Sequence, residues 1–446
     1  MLFNLSRLFS NSLVFVRPIL ASNEKNRMLK VLSSLAVLLT CAVSLPAQTA
    51  SLPRTPSGRT ATPQVVGYFP QWGIYNRRYV PLDLIKSGAI KTLTQLDYAQ
   101  GNIKDSACIV ADQQADLNIV FKAEDSVDGN ADDPAAPLRG NFHQLQLLRA
   151  LYPKLRILIS LEGKKDLFEE AAKPENRVAF VHSCIARFLE GHIAPGVETP
   201  HLFDGIDVDW EYPDAAHADD FYALLAEFRK QMDRLHPGYT LSIASGANHK
   251  AIDPIDWKRV AKSVDQIGVM TYDYQGPWSH DTGFVAPLRA ADPKTDTVET
   301  VINAYLAAGA PSRQLLMGLP FYAYQWHNVS AGAHNGLYSK GDPIRGNLNQ
   351  STATALLQNE EAETYRDEVS QAPWIYDGDN FLTFEDPVSL RAKNDFAHAK
   401  KLGGVMIWEL SGDTTDSLLL RALREDEREQ KAPHPVSIIS SGSHGK

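Results

Sequence analysis

The chain contains few cysteines, and those it has do not form a metal-binding pattern. Only Cys41, Cys108 and Cys184 occur among 446 residues, which is too few for a disulfide framework and lacks the paired spacing of a cysteine zinc site. The pattern favours two buried thiols at 108 and 184, with one bridge as the alternative if the chain is exported. Histidines occur singly as well, so we expect neither a metal ion nor a cofactor.

A strongly basic segment is also missing. Lys and Arg number 44 against 53 Asp and Glu, a formal net charge of −9. Nucleic acids and anionic membranes both select for clustered positive charge, so neither is an expected partner. Walker-type, G-x-G-x-x-G and G-x-S-x-G motifs do not occur, which leaves nucleotide and serine-hydrolase chemistry without support. We expect a monomer that binds an uncharged ligand.

Hydrophobic runs long enough to span a bilayer are absent too. The apolar run from Val31 to Leu45 covers 15 residues, short of the roughly 20 that a transmembrane helix needs. A lysine precedes the run and small residues follow it, which predicts a secretory signal peptide within residues 1–50 that starts at Met28. Lipid attachment at Cys41 is a weaker alternative, because Thr40 stands where a smaller residue is usual. We therefore expect secretion to the periplasm or the cell exterior, with no membrane span.

Eight short apolar runs rich in β-branched residues recur along the rest of the chain, most of them followed by a segment with helical periodicity. Continuous rather than alternating hydrophobicity is typical of strands buried on both faces, as in a parallel sheet. The alternation predicts an α/β fold, a (β/α)8 TIM barrel. The expected strands are Val65–Phe69, Thr92–Tyr98, Arg156–Ser160, Phe203–Asp209, Thr240–Ala244, Gln266–Thr271, Leu315–Leu319 and Gly404–Trp408.

The predicted barrel comprises residues 64–320 and 386–425, after a Ser/Thr/Pro-rich linker at 51–63 and before a disordered tail at 426–446. The interval 321–385 is too long for a simple connection inside a compact fold. Its many aromatic residues predict a small α+β insertion domain between strand 7 and helix 7, with short antiparallel strands around one helix at Ser351–Glu361. We expect it to form a wall beside the barrel mouth.

The fourth expected strand carries an unusual density of acidic residues. Asp204, Asp207, Asp209 and Glu211 lie within eight residues of an otherwise apolar segment. Because side chains alternate along a strand, the last three share one face, which must point into the barrel. Like charges this close cannot all ionise, so a proton should stay on the outermost carboxyl, Glu211, which could then act as a general acid. A Mg²⁺ or Ca²⁺ site is the rival interpretation, although carboxylates on one strand form a column rather than a cage.

These acids complete the pattern Asp-x-x-Asp-x-Asp-x-Glu, and three further segments accompany it: Met270–Trp278, Gly318–Tyr322 and Gly403–Glu409. In this combination the chain resembles glycoside hydrolase family eighteen, the chitinases and their relatives. The resemblance extends from about Val65 to Asp413. It implies hydrolysis of β-1,4-linked N-acetylglucosamine polymers or oligomers, with the N-acetyl oxygen of the substrate as nucleophile.

The resemblance also implies roles for individual residues. Glu211 would be the acid and base, Asp209 would orient the acetamido group, Asp207 would share a proton with Asp209, and Tyr272 would hydrogen-bond the acetamido group. The remaining implied residues support the aspartates or bind the sugar: Tyr68, Ser160, Met270, Asp273, Trp278, Tyr322 and Trp408.

At three places the chain departs from the family pattern. Glu162 and Lys164 replace a Gly-Gly-Trp segment after strand three, Gln100 replaces a frequent aromatic residue, and Tyr324 follows Ala323 where Gly-Arg is usual. These changes weaken the expectation of crystalline chitin as substrate and favour short chito-oligosaccharides. Two alternatives stay open: an endo-β-N-acetylglucosaminidase on glycans or peptidoglycan, and an inactive chitin-binding lectin, against which the presence of Glu211 argues.

Overall fold

The computed structural model describes residues 63–290, 292, 294–349, 363–424 and 437–439. The segment with signal-peptide character and nearly all of the linker lie outside these ranges. Within them, no helix is at once long and apolar enough to cross a membrane.

Eight parallel strands form a closed barrel, as the sequence predicted. Each pairs with its neighbours in parallel, and the first strand closes the ring by pairing with both the second and the eighth. Each of the eight expected apolar runs overlaps one strand. The strands are Gln64–Pro70, Gln95–Lys104, Arg156–Gly163, Gly205–Trp210, Thr240–Ser245, Gln266–Val269, Leu315–Pro320 and Gly404–Trp408.

A glycine permits the ring to close between its last strand and its first. Gly404 has φ +150°, and a Cβ at this position would lie 2.0 Å from the carbonyl oxygen of Gln64. Any other side chain would push these two strands apart. The register of the strands decides which inward-facing side chains lie level with one another. This close contact therefore helps to fix the positions of the side chains inside the barrel.

Helices surround the barrel and cover the outward side chains of its strands. On the fourth strand, the Trp210 ring stacks on Phe168 with centroids 5.5 Å apart and meets Phe221 edge-on at 5.7 Å. These contacts bury the apolar face of the strand and leave its acidic face to the interior. The helices are Gly73–Asn76, Pro81–Lys86, Gly140–Leu151, Lys165–Ala171, Pro174–Cys184, Ala218–Leu235, His249–Ile252, Trp257–Val260, Val298–Ala307, Pro387–Ala399 and Leu418–Arg421.

Cys108 and Cys184 form a disulfide bond, whereas the sequence favoured two separate thiols. The bond joins the short strand Ala107–Val110, which pairs antiparallel with the second barrel strand, to the end of helix Pro174–Cys184. The expectation was wrong because cysteine count and spacing carry no information about spatial approach. The Cα atoms lie 4.8 Å apart, within the range that a disulfide requires.

Between strand seven and the following helix lies a sheet of short, mostly antiparallel strands. The expected helix at Ser351–Glu361 lies outside the described residues. The strands are Tyr322–His327, Asp342–Pro343, Leu348–Asn349, Glu363–Asp367, Pro373–Tyr376 and Phe381–Thr383.

The carboxyl-terminal tail differs in part from the expectation of disorder. Ser437–Ile439 forms a strand that pairs in parallel with Tyr365–Asp367, at the edge of the insertion sheet. An unpaired sheet edge offers free backbone donors and acceptors, which explains how a polar tail can be held there. The rest of the tail lies outside the described residues.

A buried ion pair fixes the chain where it returns from the insertion to the barrel. Lys393, on helix Pro387–Ala399, contacts Glu385, and both side chains are at most 1% exposed. The hydroxyl of Ser389 donates a second hydrogen bond to Glu385 at 2.5 Å. The N-terminal half of this helix is thus anchored by charge as well as by apolar packing.

Candidate active site

A large cavity opens at the carboxyl ends of the barrel strands, above the acidic strand. Its volume is about 1090 Å³, and its lining includes both Asp209 and Glu211. Glu211 directly follows the fourth strand and is exposed to the cavity, whereas Asp209 is 7% exposed and Asp207 only 1%. The three acids therefore form a column that runs from the barrel interior to the cavity floor.

Hydroxyl groups from three other strands hold the deepest of these acids. The hydroxyls of Tyr68 and Ser160 each donate a hydrogen bond of 2.9 Å to Asp207 Oδ2, and that of Ser242 donates one of 2.7 Å to Oδ1. Ser160, Asp207 and Ser242 are direct partners in the register of three adjacent strands, so their side chains lie in one row. Three donors favour the ionised form of Asp207.

Asp209 has a different environment, although it lies only one step higher. Its Oδ1 atom is buried and has no hydrogen-bond partner among the described residues. Burial raises the pKa of Asp209 well above its ordinary value, and the charges of Glu211 and Asp207 raise it further. The pKa of Asp207 is raised by burial but lowered again by its hydroxyl donors. Asp207 is therefore the better site for the negative charge and Asp209 for a shared proton.

Glu211 also has a raised pKa. Desolvation by the cavity walls is the main cause, followed by the charge of Glu162. We expected the retained proton on Glu211; burial and the neighbouring charges raise the pKa of Asp209 as well, so the proton is shared within the acidic column. The pKa values of Asp209 and Glu211 are both higher than that of a free carboxylic acid. Glu211, the expected general acid, therefore keeps its proton at higher pH than an ordinary glutamate.

A fourth carboxyl, Asp97, lies beneath the column and was not singled out from the sequence. It is 2% exposed and accepts a hydrogen bond of 2.8 Å from Gln95. Burial and the charge of Asp207 raise its pKa well above the ordinary value. Its position on the second strand, in register with Tyr68, was the available signal.

The far wall of the cavity is built from tyrosines around one aspartate. Asp273 Oδ1 accepts hydrogen bonds from Tyr322 at 2.6 Å and from Tyr324 at 3.0 Å. Tyr324 is the residue that departs from the family pattern, and it contributes a hydroxyl to this wall. Gly318 makes room for the neighbouring Tyr272, since a Cβ at 318 would lie 2.9 Å from the Tyr272 ring.

An indole ring lies at the end of the eighth strand. Trp408 is half-buried, lines the cavity and packs against Tyr68 with ring centroids 5.4 Å apart. The exposed Trp72 lies 6.1 Å from it, which extends the aromatic surface beyond the cavity. Such a surface suits the apolar face of a sugar ring.

The structure brings most of the sequence-predicted site residues to this cavity. Asp207 and Ser160 lie beneath the floor rather than in the lining. Trp278 is not among the lining residues either: it is 60% exposed and packs edge-on against Tyr324. The predicted residues that line the cavity are Tyr68, Asp209, Glu211, Met270, Tyr272, Asp273, Tyr322 and Trp408.

Sequence reasoning missed Ser242 and treated Glu162 only as a departure. Ser242 lies in the apolar fifth strand, where the one usable signal is its alternation with outward residues. Glu162 lines the cavity and is the register partner of Asp209. A strand residue two positions after Ser160 must share its inward face, so this placement could have been predicted.

One group of metal-ligand type occurs in the described residues, away from the cavity lining. Glu169, Asp214 and His217 lie close together. Lys165 bonds Asp214 at 2.7 Å and contacts Glu169 at 3.6 Å. The lysine supplies the positive charge there, so the group carries no argument for a metal.

Comparisons with known proteins agree with this geometry. The family described as "Glycosyl hydrolases family 18" matches residues 64–413. Chitinase C of Streptomyces lividans and chitinase 63 of Streptomyces plicatus are each 32% identical to this chain, over 79% and 80% of its length. The catalytic domain of psychrophilic chitinase B from Arthrobacter TAD20 superposes with a TM-score of 0.75 at 31% identity, covering 85% of this chain and 99% of that one. The chain spans 57% and 59% of the two Streptomyces proteins.

Proposed function

This chain belongs to family 18 of the glycosyl hydrolases, and on that premise we propose that it cleaves β-1,4-linked N-acetylglucosamine in chitin or chito-oligosaccharides. The observation that carries the proposal is the acidic column of Asp207, Asp209 and Glu211, which ends at a cavity of sugar size with an aromatic floor. The reaction is retaining hydrolysis assisted by the acetamido group of the substrate.

Glu211 supplies the proton for the first step. Its carboxyl lies at the cavity floor with a raised pKa, so its protonated form persists to higher pH than that of an ordinary glutamate. The proton goes to the glycosidic oxygen as the bond from that oxygen to C1 breaks. The acetamido carbonyl oxygen of the same sugar attacks C1, which closes a positively charged oxazolinium ring.

Asp209 orients and stabilises this intermediate. Its buried Oδ1, which has no partner among the described residues, is suited to accept the acetamido N–H. A negative charge shared with Asp207 below it offsets the positive charge of the ring. Tyr272 lines the same part of the cavity and supplies a hydroxyl for the acetamido oxygen.

Water completes the reaction. The Glu211 carboxylate takes a proton from water, the hydroxide oxygen bonds to C1, and the oxazolinium ring opens to restore the acetamido group. Two displacements at C1 retain the β configuration, and Glu211 returns to its protonated form.

We also propose that the protein is exported. The disulfide between Cys108 and Cys184 supports this, because such bonds form and persist in oxidising compartments. The signal-peptide character of residues 28–50 points the same way.

The deciding experiment is release of a chromophore from chitobiose and chitotriose glycosides. Glu211→Gln removes the transferable proton at nearly constant shape and should lower kcat by about 10²-fold or more. Glu175→Gln, at an exposed helix position outside the cavity, is the matched control and should keep full activity. Equal turnover by wild type and Glu211→Gln would remove Glu211 from the mechanism.

The same preparation distinguishes the alternatives. An endo-β-N-acetylglucosaminidase would release glycans from a glycoprotein but leave chitotriose glycosides intact. A lectin would bind chito-oligosaccharides without product. Hydrolysis of a chitin hexamer by wild type, lost in Glu211→Gln, excludes both.

A further inference from the structure

Glu162 is a carboxylate at the reaction centre for which the proposed mechanism has no use. It lies near the end of the third strand, in register with Asp209 on the fourth. Ser160, two residues earlier, points inward to Asp207, so Glu162 points inward one step higher. It is half-buried and lines the cavity.

The carboxylate of Glu162 has no counter-ion in the part of the chain that the structure describes. Among the described residues, none donates a hydrogen bond to it or forms an ion pair with it. The nearby Lys165 points to Asp214 instead, at 2.7 Å, and Lys164 is exposed. Burial raises the pKa of Glu162, as expected for a carboxylate without a cation, and its charge in turn raises the pKa of Glu211.

Positive charge is scarce among the described residues that line the cavity. Its lining holds one guanidinium, that of Arg289, whose Nε bonds Glu299 at 2.9 Å. The field in the cleft therefore favours a cation. The acidic residues in the lining are Glu162, Asp209, Glu211, Asp273, Asp292, Asp296 and Asp367.

The strand order places Glu162 on one side of the acid Glu211. Tyr272 and Asp273, which follow the sixth strand, lie on one side of Glu211, and the third strand lies on the other side. The proposed function places the reacting acetamido sugar over Asp209 and Tyr272, which leaves the side of Glu211 that faces the third strand for the leaving sugar. Glu162 then faces the leaving-group sugar.

We propose that Glu162 forms a binding subsite for a protonated 2-amino sugar on the leaving-group side of Glu211. The substrate class that fits is partly deacetylated chitin, cut where an N-acetylglucosamine precedes a glucosamine. The ammonium group of glucosamine donates a hydrogen bond to this carboxylate and forms an ion pair with it, whereas a neutral acetamido group offers an N–H donor but no positive charge. The inference rests on the proposed function, because it assigns the subsite next to the bond that Glu211 protonates.

The test is digestion of soluble chitosan in which about half of the units carry acetyl groups, followed by analysis of the new chain ends by NMR. New non-reducing ends come from the leaving-group side. Their ratio of glucosamine to N-acetylglucosamine should exceed that of the polymer by about threefold for wild type, as one partly exposed ion pair provides. The excess should shrink at high salt because screening weakens the pair.

Variants of Glu162 test whether this residue causes the preference for glucosamine on the leaving-group side. Glu162→Gln should abolish the excess, Glu162→Asp should retain part of it, and Glu175→Gln should keep it in full. Because the measurement is the composition of the ends, a general loss of rate does not imitate the effect. Ends from wild type that match the polymer, or an unchanged excess in Glu162→Gln, would overturn the inference.

The new reducing ends test the proposed function separately. Acetamido-assisted cleavage requires N-acetylglucosamine at every new reducing end. One outcome is that the new reducing ends are acetylated while the new non-reducing ends have the same composition as the polymer. It would overturn the Glu162 subsite and leave the proposed function in place. Deacetylated reducing ends, or no cleavage of either chitosan or a chitin hexamer, would overturn the proposed function and the subsite with it.

Discussion

Ser242 donates a hydrogen bond of 2.7 Å to Asp207 from the neighbouring barrel strand. This hydroxyl favours the ionised form of Asp207, because it lowers a pKa that burial raises. The charge available to the reaction therefore depends on a serine that does not line the cavity.

Ser242→Ala should move the acid limb of the pH profile upward. Loss of the donor raises the pKa of Asp207, so the aspartate pair loses its negative charge at a higher pH as the pH falls. The measurement is kcat/KM across pH for wild type and variant, with a chitobiose glycoside as substrate. Ser263→Ala, at a position outside the site, is the control, and coincident acid limbs for Ser242→Ala and wild type would contradict the assigned role.

Wild type should have its optimum on the acid side of neutrality. The raised pKa of Glu211 means that its protonated form is present at low pH and lost as the pH rises through that pKa. The Asp207–Asp209 pair must keep a negative charge, which is lost at the acid end. The two requirements give a bell-shaped dependence of kcat/KM. A rate that rises steadily to about pH 9 would be inconsistent with general acid catalysis by Glu211.

Glu162→Gln should move the alkaline limb of the pH profile. The charge of Glu162 raises the pKa of Glu211, so its removal lowers that pKa and shifts the alkaline limb to lower pH. The measurement is again kcat/KM across pH, on a fully acetylated substrate. An alkaline limb that stays in place would show that Glu162 does not act on the acid.

Loss of the disulfide should destabilise the fold. Cys108→Ser/Cys184→Ser removes a link across 76 residues and should cost about 2–4 kcal/mol in the free energy of unfolding. Urea denaturation followed by tryptophan fluorescence measures the difference. Wild type with reductant should resemble the double variant, and identical midpoints with and without reductant would argue against the bond.

The buried pair at the base of the insertion predicts a non-additive effect. Lys393→Met leaves Glu385 buried without a cation and should cost about 3–5 kcal/mol of stability. Removing both charges, in Lys393→Met/Glu385→Leu, should recover much of that loss. A double variant as unstable as the sum of the single variants would mean that the two groups do not interact.

The sequence predicts the barrel and the acidic column because both depend on short-range regularities. Continuous apolar runs identify buried parallel strands, and alternation places Asp207, Asp209 and Glu211 on one face. The partners of the column come from other strands, and only the register of the closed ring brings Ser160 and Ser242 level with Asp207.

Other features depend on how deeply a side chain is buried or on which segments pack together in the fold. The raised pKa of Asp209 follows mainly from its burial, which no sequence pattern reports. The bond between Cys108 and Cys184 follows from the packing of a hairpin against a helix. Trp278 was predicted from its motif to bind the sugar, which stays a prediction; the structure places it beside Tyr324 and outside the cavity lining, a position that depends on the path of a loop.

The first acid of the motif has a separate task. Both Asp204 oxygens are held by Arg149, at 2.6 and 2.7 Å, and one of them also accepts the backbone N–H of Ile157 at 2.9 Å. Asp204 thus fastens a surrounding helix and the third strand to the foot of the fourth. A substitution at Asp204 would tilt the catalytic strand although Asp204 contacts no sugar. An activity assay would then show a loss of rate that resembles the loss of a catalytic residue.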